Sequence, residues 1–299
     1  PLAVSRFLAC LVEAGAPHGV VNTVIGPGST VGSYLVRHPG IRKIAFTGET
    51  STGKEILHLA AEGMKRVSLE LGGHCPLIVF PDADLEAAAR GGVYRAFRNM
   101  GQVCNAINRI YVHEQIYEPF VERFVEYTRR LRIGPGLEDP DLGPMTTREG
   151  LEKTVAHIED ARAKGARVAY GGHRPAGFPK GYFFTPTVLV DVDHSMKVMR
   201  EETFGPVAPI MPFRDLEEAL RLANDSPYGL VAYAYTRDLR TAFLVAEGLE
   251  AGTVGVNNVV GGEVPFPYGG WKESGFGVEL SHEGLLEYLL LKHIRIDLP

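Results

Sequence analysis

The fold class is indicated most clearly by the stretch Lys43-Ile44-Ala45-Phe46-Thr47-Gly48-Glu49-Thr50-Ser51-Thr52-Gly53-Lys54. Its apolar first half predicts a β-strand that ends near Phe46, and Ser51 to Ala61 is predicted as the helix that follows. Gly48 lies between the two, where the free N–H groups of a helix start and the helix dipole attract phosphate. Because an ordinary strand-to-helix turn has the same pattern, the assignment needs support from the rest of the chain.

Short apolar runs alternate with helical patterns along the whole sequence. The predicted strands are Val20–Ile25, Ile41–Phe46, Val67–Leu69, Leu77–Phe80, Ile110–His113, Leu230–Tyr235 and Thr253–Val256. Predicted helices begin near Leu2, after Asp84, at Ile116, after Asp215 and after Asp238. This alternation predicts an α/β protein with a mostly parallel sheet. The tail Tyr288–Leu298 alternates weakly, and we expect an edge strand there that another subunit covers.

Composition argues against several classes of function. The chain has 299 residues, of which 45% are hydrophobic, and a net charge of −5 without a basic run, so nucleic-acid binding has no electrostatic support. No apolar run reaches the roughly 18 residues that a membrane-spanning helix needs. The widely spaced Cys10, Cys75 and Cys104 argue against a disulfide framework and predict a reducing, cytoplasmic location. No His/Cys cluster has metal-ligand spacing, and we expect no metal.

One cysteine is presented like a catalytic nucleophile. Gly101-Gln102-Val103-Cys104 places a thiol directly after a glycine turn, and the neighbours Asn99 and Asn105 are too polar for a routine core position. A thiolate there could attack a carbonyl carbon, and the backbone N–H of the cysteine could stabilise the resulting oxyanion. Cys75 is the rival nucleophile, but the apolar Leu77-Ile78-Val79 beside it favours burial.

Two acids also lie beside glycines. Glu70 begins Glu70-Leu71-Gly72-Gly73 at a predicted strand end, and in a semi-apolar cleft its raised pKa would suit a general base that activates water. Glu202 begins Glu202-Thr203-Phe204-Gly205-Pro206, where a carboxylate could accept hydrogen bonds from ribose hydroxyls. Each acid has an alternative interpretation as an ordinary solvated carboxylate.

Five motifs together resemble the NAD(P)-dependent aldehyde dehydrogenase superfamily. They are Phe46-Thr47-Gly48, Glu70-Leu71-Gly72-Gly73, Gly101-Gln102-Val103-Cys104, Glu202-Thr203-Phe204-Gly205-Pro206 and Tyr268-Gly269-Gly270-Trp271-Lys272-Glu273-Ser274-Gly275. Their order and spacing agree over essentially the whole chain. The resemblance implies a partial Rossmann-type cofactor domain at 1–73, an α/β catalytic domain at 74–273 and a C-terminal segment at 274–299 with an oligomerisation strand. It also implies a homo-oligomer, either a dimer or a tetramer.

The resemblance assigns a role to each matching residue. Cys104 matches the nucleophile that forms a hemithioacetal with an aldehyde and then a thioester, and Glu70 matches the base that activates the hydrolytic water. NAD or NADP is the implied cofactor, and its matching residues are Thr47, Gly48, Glu49, Gly53, Leu71, Glu202 and Phe204. Arg98 matches an arginine that holds the distal carboxylate of the substrate in some semialdehyde dehydrogenases. Glu279 matches a second acid that some members place in a proton path.

Some positions depart from the family pattern. Glu49 stands where many members have serine, His74 replaces lysine or asparagine, and Val278 replaces a common arginine. The loop Gly261-Gly262-Glu263-Val264 lacks the serine typical of semialdehyde dehydrogenases. Family members usually extend much further before the position of Pro1, so we expect a truncated chain with little or no dehydrogenase activity.

Three functions stay open at this stage. The first is an aldehyde dehydrogenase in which water hydrolyses the thioester, and Glu70 favours it because relatives that transfer the acyl group to coenzyme A often lack that acid. The second is such a coenzyme-A-acylating enzyme. The third is a non-catalytic fragment that keeps the catalytic and oligomerisation regions.

Overall fold

The computed structural model describes residues Leu2–Pro299. The helices are α1 Leu2–Glu13, α2 Ser33–Arg37, α3 Thr50–Ala61, α4 Leu85–Phe97, α5 Tyr117–Arg129, α6 Arg148–Ala163, α7 Lys197–Arg200, α8 Leu216–Asn224, α9 Leu239–Gly248 and α10 Ser281–Leu286. The strands are β1 Lys43–Thr47, β2 Arg66–Glu70, β3 Cys75–Val79, β4 Ile107–His113, β5 Arg167–Tyr170, β6 Thr187–Val190, β7 Val207–Phe213, β8 Tyr228–Gly229, β9 Val231–Tyr235, β10 Thr253–Val256, β11 Trp271–Lys272 and β12 Gly275–Phe276.

The chain packs as two compact units. The first contains the described residues up to Ala45 together with Ser51–Val67, and the second contains Phe46–Thr50 and Ser68–Pro299. In the first unit, α1 buries none of its side chains, although the predicted helix is present. This division concerns packing alone, so the functional domain limits predicted after 73 and 273 stay predictions.

The second unit is built on a seven-stranded sheet of order β10-β9-β3-β4-β7-β6-β5. All neighbouring strands are parallel except the edge pair β5 and β6. All five residues of β3 are buried, as expected for a central parallel strand that is covered on both faces. A smaller sheet has the order β1-β2-β12, and there Gly275 lies opposite Glu70 in an antiparallel pair.

Helices cover both faces of the large sheet. In the order across the sheet, β4 and then β7 lie on one side of β3, whereas β9 and then β10 lie on its other side. Because crossovers between parallel strands are right-handed, α4 and α5 lie on one face, and α8 and α9 lie on the other. Phe97 and Phe124 join α4 to α5 with ring centroids 6.0 Å apart. The prediction of a mostly parallel α/β fold is therefore confirmed.

The predicted helix starts are explained by side-chain caps. Asp84 accepts a hydrogen bond from the backbone N–H of Ala87 at 3.0 Å, and Asp215 accepts one from Glu218 at 2.8 Å. Asp238 accepts a hydrogen bond from the backbone N–H of Thr241 at 2.8 Å. Each carboxylate satisfies an N–H group that the first turn of the helix leaves unpaired.

Two predicted strands are not formed. Val20–Ile25 is a turn followed by extended chain, and Val20, Val24 and Ile25 are exposed. A strand is stabilised by hydrogen bonds to a neighbour, and no strand of the described residues pairs with this segment. The tail after α10 is likewise not a strand within the single chain. An oligomerisation strand needs the sheet edge of a partner chain, so that part of the expectation stays a prediction.

No helix within Leu2–Pro299 has the length and apolar character needed to cross a bilayer. The same residues contain no group of three or more His, Cys, Asp and Glu side chains arranged to hold a metal ion.

Candidate active site

Three segments converge where the chain enters three adjacent parallel strands. Gly73 precedes β3, Cys104 precedes β4, and Glu202 precedes β7. The Gly73 N–H donates to Glu202 Oε1 at 2.9 Å, and a Cβ added at Gly73 would lie 2.3 Å from the carbonyl oxygen of Cys104. Because parallel strands begin at the same edge of a sheet, residues far apart in sequence meet here.

The segment before Cys104 is held in an unusual backbone conformation. Asn99, Met100 and Gly101 have φ angles of 52°, 60° and 70°, so three successive residues are left-handed. The side chains of Asn99 and Gln102 each donate to the other's backbone carbonyl at 3.0 Å, and Gln102 Oε1 accepts from the Thr146 N–H at 2.9 Å. Left-handed non-glycine residues are strained and cluster at functional sites, and these contacts stabilise the strained segment.

The Cys104 thiol is half-buried among acids and one phenol. Its Sγ lies 3.8 Å from the hydroxyl oxygen of Tyr268. Burial raises the pKa of the thiol, and the negative charges of Glu70 and Glu202 raise this pKa further. Contact with Tyr268 and the Asn105 N–H lowers the same pKa. These acids act on the thiol because the tertiary fold brings them close to it.

Cys75 is not arranged as a nucleophile. Its side chain is 1% exposed, and its Sγ donates to the carbonyl oxygen of Cys104 at 3.6 Å. Burial raises the pKa of Cys75 to about 12, so it is a protonated thiol at neutral pH. The expected burial of Cys75 is confirmed, and its role is to pack against the Cys104 segment.

Glu70 is a buried carboxyl group whose side chain is left without a partner. The residue is 4% exposed, and neither carboxyl oxygen forms a hydrogen bond within Leu2–Pro299. Burial, followed by the charge of Glu279, raises the pKa of Glu70 to about 8. A carboxyl with this pKa can take a proton from water near neutral pH. Its backbone carbonyl accepts from the Gly48 N–H at 3.0 Å, which ties the predicted base to the predicted phosphate turn.

Glu202 faces the same region from the segment before β7. Burial raises the pKa of its carboxyl group, and the hydrogen bond from Gly73 lowers it. A Cβ added at Gly72 would lie 2.7 Å from Glu202 Oε2, so a larger residue there would displace the Glu202 carboxyl group. Phe204 follows two residues later with a φ of 51° and is 40% exposed. An exposed aromatic ring next to a poorly solvated acid suits the sugar and ring of a nucleotide.

The remaining predicted cofactor residues divide between the two units. In the second unit, Thr47 and Glu49 are exposed and Gly48 is half-buried. The charge of Glu49 makes a small contribution to raising the pKa of Glu202. Leu71 is buried, and its N–H donates to Ser274 at 3.0 Å. Gly53 is a buried position of α3 in the first unit, and its role stays a prediction.

Arg98 and Arg95 have opposite environments. Arg98, the predicted carboxylate ligand, is exposed. Arg95 is 6% exposed and donates to Asn105 Oδ1 at 3.0 Å and to the Val259 carbonyl. The sequence interpretation missed Arg95, because an arginine inside an amphipathic helix pattern usually marks the solvent face.

Tyr268 is the second residue that the sequence interpretation missed. It begins the fifth motif, which assigns it no role, although its hydroxyl reaches the Cys104 thiol. Its backbone forms two hydrogen bonds with Glu279, with N···O distances of 3.0 and 2.7 Å. The same pairing places Glu279 where its charge acts on Glu70.

Known proteins resemble this chain over nearly its whole length. A family model described as the aldehyde dehydrogenase family matches residues 1–294. A probable NADP+-dependent succinate-semialdehyde dehydrogenase of Sinorhizobium fredii is 44% identical over 297 residues, which are 98% of this chain and 60% of that protein. A 3-sulfolactaldehyde dehydrogenase of Pseudomonas putida is 44% identical over 295 residues, with coverage of 98% and 60%.

Solved structures show the same relationship. The crystal structure of a betaine aldehyde dehydrogenase from Staphylococcus aureus in complex with NAD+ superposes with a TM-score of 0.93 at 39% identity. The superposition covers 97% of this chain and 58% of that one. The chain thus spans about 60% of the length of the curated relatives described above.

Proposed function

This chain belongs to the aldehyde dehydrogenase family, and we propose that it oxidises an aldehyde to a carboxylic acid with NAD+ or NADP+. In this proposal, Cys104 is the nucleophile and Glu70 is the general base. The observation that carries the proposal is a half-buried thiol whose pKa is raised by the charge of a buried carboxyl, and this carboxyl has a pKa of about 8 and no hydrogen-bond partner within Leu2–Pro299.

The first step is attack by sulfur. The Cys104 thiolate adds to the aldehyde carbon and forms a carbon–sulfur bond, while the carbonyl oxygen becomes an oxyanion. The backbone N–H of Cys104 can donate to that oxyanion. Strained backbone at Asn99, Met100 and Gly101 favours this arrangement, because it fixes the direction in which the following segment approaches the substrate.

The cofactor residues of the second unit fit a nicotinamide nucleotide. Glu202 keeps one carboxyl oxygen on Gly73, and its second oxygen can accept hydrogen bonds from ribose. Thr47, Gly48 and Glu49 precede α3, whose start would face the pyrophosphate, while Leu71 and Phe204 would lie near the nicotinamide. The bound cofactor supplies a hydride acceptor, which makes the sulfur adduct a thioester.

Glu70 then releases the product. Its carboxylate takes a proton from a water molecule, the hydroxide attacks the thioester carbon, and the carbon–sulfur bond breaks. Cys104 leaves as a thiolate and is ready for another cycle. Neither carboxyl oxygen of Glu70 is hydrogen-bonded to another group of the described residues, which supports this role because both oxygens are left to accept from water. Hydrolysis by water, rather than transfer to coenzyme A, is therefore the proposed outcome.

We propose that the substrate carries an anionic group. Succinate semialdehyde and 3-sulfolactaldehyde, named for two relatives, bear a carboxylate and a sulfonate. Arg98 is exposed six residues before Cys104, where its guanidinium can bind either anion. Betaine aldehyde, named for the similar solved structure, carries a cation and is expected to be a poor substrate.

The C-terminal tail carries exposed apolar side chains that another copy of the chain could cover. The side chains of Leu291, Ile294 and Ile296 in the tail are exposed, and apolar tails of this kind favour pairing with another copy of the chain. We propose a homo-oligomer, a dimer or a tetramer, in which the tail forms the predicted strand.

Cys10, Cys75 and Cys104 are free thiols, which supports a reducing, cytoplasmic compartment.

The test uses the polypeptide that the complete reading frame encodes, with succinate semialdehyde and each cofactor. Cys104→Ser is expected to abolish cofactor reduction, whereas Cys10→Ser, an exposed cysteine on α1, is the matched control. Glu70→Gln is expected to reduce about one cofactor per active site in a burst and then to stall, since the thioester cannot be hydrolysed. Unchanged turnover by Cys104→Ser would refute the proposal. Formation of acyl-CoA after addition of coenzyme A would show that the acyl group is transferred to coenzyme A and not hydrolysed by water.

A further inference from the structure

The Tyr268 ring is held against the Cys104 thiol. Its hydroxyl oxygen lies 3.8 Å from Sγ, within the contact range of the large sulfur atom. The backbone of Tyr268 is fixed on both sides by its hydrogen bonds with Glu279. A Cβ added at Gly262 would lie 3.1 Å from Cδ2 of the ring, so the loop packs closely against one side of it. The backbone hydrogen bonds hold the main chain of Tyr268, and the packing of Gly262 limits the space in which its ring can move.

The surroundings of Cys104 otherwise oppose a negative sulfur. Burial and the charges of Glu70 and Glu202 all disfavour the thiolate. Among the strongest influences on this thiol, those that favour the thiolate are the Tyr268 hydroxyl and the backbone N–H of Asn105, which are both neutral donors. In most activated cysteines a nearby cation stabilises the thiolate. Here a neutral donor has to supply much of that stabilisation.

Tyr268 is suited to remain a donor. Burial raises the pKa of its phenol, and the neighbouring Cys104, Cys75 and Glu70 raise this pKa further. The phenol therefore keeps its proton over the whole range in which the thiol ionises. Hydrogen bonds to an ionised partner are about twice as strong as neutral ones, so the contact strengthens when the sulfur loses its proton.

We propose that the Tyr268 hydroxyl donates a hydrogen bond to the Cys104 thiolate and is a further catalytic residue that keeps the sulfur ionised for attack. The reaction that this sulfur performs rests on the proposed function, but the hydrogen bond is a property of the free protein. No covalent bond changes in the contact: the phenol keeps its proton, and the sulfur keeps its electron pair. When the sulfur attacks, the hydroxyl is released.

The experiment measures the alkylation of Cys104 by iodoacetamide as a function of pH, without cofactor or aldehyde. A Cys10→Ser background removes the other accessible thiol. Tyr268→Phe keeps the ring and removes the donor. We expect the apparent pKa of Cys104 to rise by about one unit and the alkylation rate near neutral pH to fall about 10-fold. At high pH the rate is expected to equal or exceed that of the parent, since a thiolate without the hydrogen bond is the stronger nucleophile.

Two controls separate this role from a structural one. Tyr94→Phe removes a phenol hydroxyl from an exposed ring on α4 and is expected to leave the pH profile unchanged. Thermal unfolding of Tyr268→Phe shows whether the fold is kept. A pH profile that coincides with the parent, or a rate that falls by the same factor at every pH, would overturn the proposal. Because no turnover is measured, a failure of the proposed oxidation would leave this result interpretable.

Discussion

Arg95 Nη1 donates a 3.0 Å hydrogen bond to the side-chain oxygen of Asn105, the residue that follows Cys104. The other terminal nitrogen of Arg95 donates to the carbonyl of Val259, just after β10. Tyr233, on β9, adds a hydrogen bond from its hydroxyl to the Asn105 carbonyl at 3.0 Å. A buried guanidinium therefore joins the segment of Cys104, the proposed nucleophile segment, to a loop that lies more than 150 residues later in the chain.

Arg95→Met is expected to destabilise the protein by about 2–4 kcal/mol, because it leaves two half-buried acceptors, at Asn105 and Val259, without their donors. Urea unfolding measures this change. Arg98→Met is the matched control, since it removes an exposed arginine three residues further on and should change the free energy of unfolding by less than about 0.5 kcal/mol. Equal stability of the two variants would show that the Arg95 contacts contribute nothing.

Arg98→Met is expected to act on the substrate instead. If the guanidinium binds the anionic end of the aldehyde, kcat/KM for succinate semialdehyde should fall roughly 10- to 100-fold, the effect of losing a charge-assisted hydrogen bond. Steady-state kinetics with an uncharged aldehyde of the same length provides the reference, and its kcat/KM should be little affected. An equal loss with both aldehydes would exclude a role in recognising the anion.

Glu70→Gln is expected to change how stability depends on pH. The folded-state pKa of Glu70 is about 8, above its ordinary value of 4.5. Between these values the unfolded chain loses the proton and the folded chain keeps it, so the free energy of unfolding decreases as pH rises. The glutamine variant lacks this decrease. We expect the two proteins to be nearly equal at low pH and the variant to be more stable by up to about 4 kcal/mol above pH 8.

Urea unfolding at several pH values measures this difference. Glu279→Gln provides a further check, because the charge of Glu279 raises the pKa of Glu70. In that variant the decrease in stability should begin at the same pH and end at a lower one. The assignment of a raised pKa to Glu70 would be wrong if Glu70→Gln were never more stable than the parent at high pH.

Gly101→Ala is expected to disrupt the nucleophile segment. The position has a φ of 70°, and an added Cβ would lie 2.2 Å from the carbonyl oxygen of Gly205. Strain and overlap together should cost at least about 2 kcal/mol and slow the alkylation of Cys104. Gly136→Ala, at a glycine whose added Cβ would meet open space, is the control for thermal unfolding and alkylation. Normal alkylation of Cys104 in Gly101→Ala would contradict this view of the segment.

Local sequence patterns predict an element correctly where interactions between near neighbours in the chain decide the structure. The helices after Asp84, Asp215 and Asp238 begin as predicted, because each cap is made by the residue's own side chain three positions before its partner. The segment Val20–Ile25 has an equally good strand pattern and forms no strand. Apolar alternation makes a strand possible, but only a neighbouring strand supplies its hydrogen bonds.

Sequence motifs also indicate only part of the candidate site. Motifs identified Cys104, Glu70 and Glu202 because a thiol or carboxyl beside glycine is a recognisable arrangement. They did not indicate that Tyr268 reaches the thiol or that Arg95 holds Asn105. Tyr268 lies 164 positions after Cys104, and Asn105 lies 10 positions after Arg95. Neither separation in sequence indicates that the two residues are in contact.

The sequence by itself determined the alternation of strands and helices, the caps and the residue types that can perform the chemistry, since these depend on side chains and their near neighbours. Only the tertiary structure decided where these residue types meet. Strands β3, β4 and β7 lie side by side and parallel, so the segments that enter them meet at one edge of the sheet. Burial at that edge then raises the pKa values of Glu70 and Cys104, because removal from water penalises the charged form of each group.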